Sequence, residues 1–138
     1  MKTLFLHIRT LITILFLLIS SADASITVKT IEGEELLLYE KSYALVVENS
    51  DYQNFIRLPG AKQDVQEVAK ALERKGFIVE LALNLTGKEF KTLFTDFALN
   101  RGKKENTRML FYYAGHGATL PMAGNDTMGY LATSSTFL

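Results

Sequence analysis

Ala114-Gly115-His116-Gly117 is the stretch of this sequence best suited to chemistry. An imidazole exchanges protons near neutral pH, and this one stands between two glycines that let another backbone approach. The Gly117 N–H has no side chain beside it and is free to stabilise an oxyanion. The bland alternative is a turn histidine whose glycines serve only dihedral freedom, and spacing alone leaves both readings open. A metal role fits poorly, because no second His or Cys lies near and no acidic group clusters with His116. Asp51 and Asp64 are the carboxylates that could approach from upstream, although Asp64 suits the positive end of a helix. Ser134 and Ser135 are conceivable nucleophiles, but neither sits on a recognisable nucleophile elbow. The chain has no cysteine, which excludes a thiol nucleophile, a zinc–thiolate site and a redox pair within it.

The elements that must position His116 follow from hydrophobic patterning. Met109-Leu110-Phe111-Tyr112-Tyr113 reads as a buried strand delivering the histidine at its carboxyl end. Tyr43-Ala44-Leu45-Val46-Val47 is a second apolar run, expected of a strand covered on both faces and ended by Asn49, Ser50 and Asp51. Pro59-Gly60 opens a helix whose Ala61, Val65, Val68, Ala69 and Leu72 share one face, with Gly76 as its stop. Phe77–Leu81 predicts the next strand. Thr86 and Glu89 have capping-box spacing before a helix that buries Phe90, Leu93, Phe94 and Phe97 and ends near Gly102. One or two short strands around Glu32-Gly33-Glu34 precede all of this, and Tyr130-Leu131 suggests a short strand after it. Strand, helix, strand, helix, strand with short links implies parallel strands and right-handed crossovers. An α/β sheet with helices on both faces is expected, with ligands at the strands' carboxyl ends.

Composition bounds the partners. Of 138 residues, 48% are hydrophobic and 22% charged, as in a globular domain, and 15 basic residues balance 15 acidic ones. No overall field favours nucleic acid or an anionic membrane. At the N-terminus Lys2 and Arg9 precede an apolar run from Leu11 to Ile19, followed by Ala22-Asp23-Ala24. This is the pattern of a secretory signal, so residues 1–24 are expected to be cleaved after Ala24 and the domain, 25–138, exported to a periplasmic or extracellular space. The alternative is an uncleaved anchor, but the apolar core is about half the ~20 residues a membrane span needs. No stable span is therefore expected after cleavage. His116 is then the only histidine left.

The whole series resembles the large-subunit region of caspase-like cysteine peptidases, most closely their bacterial and metacaspase-type relatives. The matching residues are Tyr43–Val47 with Asn49 and Tyr52, Leu58-Pro59-Gly60-Ala61 with Asp64, Val68–Leu72, Gly76-Phe77, Leu110–Gly117 and Tyr130-Leu131. The resemblance spans about residues 36–131, in order and with sensible spacing. It implies a three-layer caspase-like fold with a mostly parallel sheet, here with its C-terminal part missing. It also implies a His/Cys dyad with His116 as the catalytic histidine and the Gly117 N–H as half of the oxyanion hole. In caspases the histidine precedes the nucleophilic cysteine by about 50 residues, whereas 22 follow His116 here. The chain departs from the pattern at Glu48, where relatives usually have glycine, and at Ala132–Thr136, which lack the acidic residue often found there.

Two main readings result. One is the N-terminal part of a cysteine endopeptidase, inactive by itself and acting on peptide or protein substrates when completed. The other is a non-catalytic caspase-like binding module or pseudopeptidase. Neither calls for a cofactor or a metal ion. An unrelated flavodoxin-like domain binding a small anion is a third reading, and the lack of a glycine-rich phosphate loop counts against it.

Overall fold

The computed structural model describes residues 25–137, so the secretory-signal assignment for residues 1–24 lies outside the described residues. The centre of the domain is β3 (Lys41–Glu48), whose residues from Ser42 onward are all buried. Its two faces are both apolar, and each has its own cover. Tyr43, Leu45 and Val47 pack against Phe97, Phe90 and Leu93, whereas Ala44 and Val46 pack against Val65, Leu72 and Phe77. The first set of partners comes from α2 (Gly87–Gly102) and the second chiefly from α1 (Ala61–Arg74), so one helix lies on each face. Parallel strands β4 (Phe77–Leu83) and β5 (Thr107–Ala114) flank β3 in the order β4-β3-β5. Register places Glu48 opposite both Leu83 and Ala114, so the three strands finish level with one another. The α/β fold with a parallel sheet between two helices is as the pattern implies.

Local chemistry sets the helix ends. Gly60, at φ 98°, is the α1 N-cap in the left-handed region, where a side chain is disfavoured. Gly76, at φ 79°, turns the chain out of α1 and into β4. Thr86 and Glu89 form the expected capping box. The Glu89 N–H donates to Thr86 Oγ1 at 3.4 Å, and Thr86 N–H donates back to Glu89 Oε2 at 2.9 Å. The Thr86 hydroxyl beside the carboxylate, with the backbone bond, holds the Glu89 carboxyl below its ordinary range.

The described residues add two hairpins. β1 (Ile26–Lys29) and β2 (Glu35–Tyr39) pair antiparallel around the expected turn. After His116, β6 (Gly117–Pro121) and β7 (Thr127–Leu131) form a second hairpin, of which only the Tyr130-Leu131 end was expected.

Two burial expectations are corrected. β5 is not enclosed like β3: Met109 is 42% and Phe111 38% exposed, because among the described residues no strand pairs with its outer edge. Phe94 is 40% exposed for the same reason. Its ring stacks edge-on against Phe111 at 5.1 Å, over the uncovered side of that edge.

Candidate active site

Because β3 and β5 are parallel neighbours ending level, the loop after β3 (residues 49–60) and the turn after β5 share one edge of the sheet. His116 lies in that turn, between the end of β5 and the start of β6. Its Nε2 is 2.8 Å from the carbonyl oxygen of Ile56 in the facing loop. A carbonyl only accepts, so Nε2 carries the proton, and in a neutral imidazole the lone pair is left on Nδ1. The ring sits among aromatics, stacked on Phe55 (centroids 5.4 Å apart, 25° between planes) and tilted against Tyr52 (4.9 Å, 50°).

The facing loop is fastened at its base. Asn84, at φ 53°, accepts from the N–H groups of Ser50 and Asp51 through Oδ1 at 3.0 and 2.8 Å. Its own N–H donates to Glu48 O at 2.7 Å. Leu58 N–H donates to Ser50 O, and an exposed Arg57–Asp51 ion pair at 2.9 Å closes the same loop. Asp51 is thus turned to Arg57, and Asp64 lies in the first turn of α1, so neither carboxylate partners His116.

Beneath the histidine runs a set of hydroxyls. His116 N–H donates to Tyr52 Oη at 2.7 Å, Tyr52 Oη lies 3.3 Å from Tyr113 Oη, and the Tyr113 hydroxyl donates to the Ala132 carbonyl. Burial, reinforced by the nearby Glu48 carboxylate, pushes the Tyr113 phenol well above its ordinary range. The Asn49 amide lies beside that phenol without reaching hydrogen-bond geometry. Glu48 and Asn49 are fully buried, and neither side chain has a hydrogen-bond partner among the described residues. Glu48 nevertheless extends β3 regularly, so its cost is buried polarity and not a changed turn.

Gly117 opens β6. Ala132 N–H donates to His116 O at 2.9 Å, which makes the facing Gly117–Leu131 pair the non-hydrogen-bonded kind in this ladder. The Gly117 N–H therefore points away from β7. Of the two serines, Ser134 is fixed through its main chain, its N–H donating to Leu85 O, and Ser135 Oγ accepts from Gly87 N–H at 3.4 Å. A cavity of about 500 Å³ between the β6–β7 hairpin and α2 is lined by Phe90, Leu120, Tyr130 and Phe137 among others, and His116 is not part of its wall. Among the described residues, no three His, Cys, Asp or Glu side chains group so as to hold a metal ion.

His116 and the loop that tethers it both lie within a stretch that matches a known family. The family model described as the caspase domain matches residues 41–136. The chain belongs to the caspase-domain family. No curated protein matches it in sequence. Within this caspase domain, patterning singles out His116 and Gly117 as candidates but gives no site role to Tyr52, Phe55, Ile56 or Tyr113. An aromatic residue in the otherwise polar stretch 49–54 was a usable signal for Tyr52. Ile56 acts through its main chain, which residue type does not report.

Proposed function

We propose that this caspase domain is the histidine-bearing, N-terminal part of an exported bacterial-type cysteine endopeptidase, its nucleophilic thiol lying outside these 138 residues. The observation that carries this reading is the Nε2–Ile56 tether, which leaves Nδ1 as a base facing away from that carbonyl. In the completed enzyme Nδ1 takes the thiol proton, the thiolate attacks the scissile carbonyl, and His116 returns the proton to the leaving amine. Water then hydrolyses the acyl-enzyme. The Gly117 N–H, turned out of the hairpin ladder, supports a role as an oxyanion donor.

The 138-residue chain by itself is expected to cleave no peptide in a thiol-dependent way, since it has no cysteine. Joined to a segment carrying an apolar strand that ends in Asp-x-Cys, it should gain cleavage that alkylation abolishes and His116→Ala removes. Cleavage insensitive to both treatments would overturn the proposal.

The absence of cysteine also favours a second reading, a non-catalytic module that binds a peptide or protein. Peptide binding that His116→Ala leaves untouched, with no cleavage after completion, would establish that alternative.

A further inference from the structure

His116 is held by more than its side chain. Following each proton gives the hydroxyls a direction. The Tyr113 proton is committed to the Ala132 carbonyl, so the proton between the two phenols belongs to Tyr52, and the Tyr52 oxygen accepts from His116 N–H. Ala132 N–H then donates to His116 O at 2.9 Å. The result is a closed circuit, from His116 N–H through Tyr52, Tyr113 and Ala132 back to His116 C=O. Both main-chain polar groups of the histidine are in it. Gly115 is the residue that makes room: a Cβ built there would come within 2.5 Å of Tyr52 Oη and also strike the Tyr113 hydroxyl.

Tyr52 is the member that joins the two halves of the site. It is buried although its neighbours Asp51, Gln53 and Asn54 are exposed, and it lies four residues before Ile56 in the same loop. Its hydroxyl holds the His116 main chain while its ring bears on the imidazole. We infer that Tyr52 is the positioning residue of this site, fixing the His116 backbone through its hydroxyl so that Nε2 meets the Ile56 carbonyl and Nδ1 stays the free base. Tyr113 serves as the acceptor that orients the Tyr52 hydroxyl. The inference deepens the peptidase reading and rests on it for the use of Nδ1, but the geometry it asserts stands apart from any cleavage.

The test follows the imidazole by nuclear magnetic resonance in the full chain, with His7→Gln so that one histidine reports. The unaltered site should show a single Nε2-protonated tautomer with an observable Nε2–H signal. Tyr52→Phe keeps the ring and removes the hydroxyl. It should speed exchange of that proton by about fivefold or more, the effect of losing one net hydrogen bond, and bring in the Nδ1-protonated form, while β3 amides keep their protection. Tyr113→Phe should act in the same direction but less, because Tyr52 Oη still accepts from His116 N–H. Tyr130→Phe removes a buried hydroxyl that has no partner among the described residues, and it should change neither quantity. A Tyr52→Phe protein that folds with unchanged exchange and tautomer would overturn the inference. If Tyr52→Phe fails to fold, an unchanged imidazole in Tyr113→Phe overturns it instead. Failure of the completed enzyme to cleave peptide would sink the peptidase reading and leave these spectra to decide the role of Tyr52.

Discussion

His116 Nε2 and the Ile56 carbonyl oxygen meet at 2.8 Å across 60 residues of sequence. The partner is a main-chain atom, so the Ile56 side chain, 82% exposed, is not what holds the imidazole. Ile56→Ala should therefore preserve the Nε2-protonated tautomer and change unfolding free energy by no more than about 0.5 kcal/mol. A shift to the other tautomer in that variant would mean that the side chain, not the carbonyl, sets the geometry.

Gly115 tests the same region by crowding. Its Cβ position is already occupied by the hydroxyls of Tyr52 and Tyr113, which are themselves engaged, so Gly115→Ala must push apart a bonded pair. Overpacking of this kind costs about 1–3 kcal/mol, read as a lower denaturant midpoint at unchanged slope. An unchanged midpoint would show that the tyrosines yield freely.

Much of this fold was readable from residue patterning, and the limits have physical causes. Tyr43–Val47 announced a strand covered on both faces because both of its faces are apolar. Thr86 and Glu89 announced α2 because a cap is local chemistry. Met109–Tyr113 looks as apolar as β3, so composition could not tell an enclosed strand from one with an open edge. The β6 strand was missed because Gly117-Ala118-Thr119-Leu120-Pro121 alternates weakly. Its turn, with Gly124 at φ 82°, also lacks a two-residue hairpin signature. At the site, His116 was visible as a residue type. Its tethers to Tyr52 and Ile56 are contacts 64 and 60 positions apart, and spacing within one segment does not encode them.

Glu48 carries a buried carboxylate with both oxygens unmatched among the described residues, an arrangement that costs stability. Glu48→Met keeps the chain length and removes the unmatched oxygens. It should raise unfolding free energy by about 1–3 kcal/mol, measured by urea titration. Destabilisation instead would reveal a partner for that carboxylate.

Tyr113 predicts the behaviour in alkali. Its folded phenol is raised above the ordinary value of 10.0 by burial first, with Glu48 adding and Asn49 opposing. The unfolded chain therefore loses this proton before the folded one does. The stabilisation is complete below about pH 10 and is lost as pH rises above it. Tyr113→Phe should flatten the alkaline limb of the stability curve. A limb equally steep in both proteins would assign it elsewhere.

The α2 cap gives the opposite sign. Glu89, lowered by the Thr86 side chain and then by the Thr86 backbone, contributes above its ordinary value of 4.5, and the contribution disappears as pH falls through the lower folded value. Thr86→Ala should cost about 1 kcal/mol at neutral pH. The difference between variant and parent should shrink on acidification, as followed by thermal melts.

The outer margin of β5 has a consequence for handling as well as for architecture. Eight residues from Thr107 to Ala114 present a row of peptide groups with no neighbouring strand among the described residues, and Met109 and Phe111 stand exposed along it. Such a margin templates the addition of any extended chain that reaches it. Molecules of this domain kept apart at low concentration should remain dispersed. Concentrated ones should self-associate through that strand into β-rich aggregates, and a lysine placed at Phe111 should blunt the tendency.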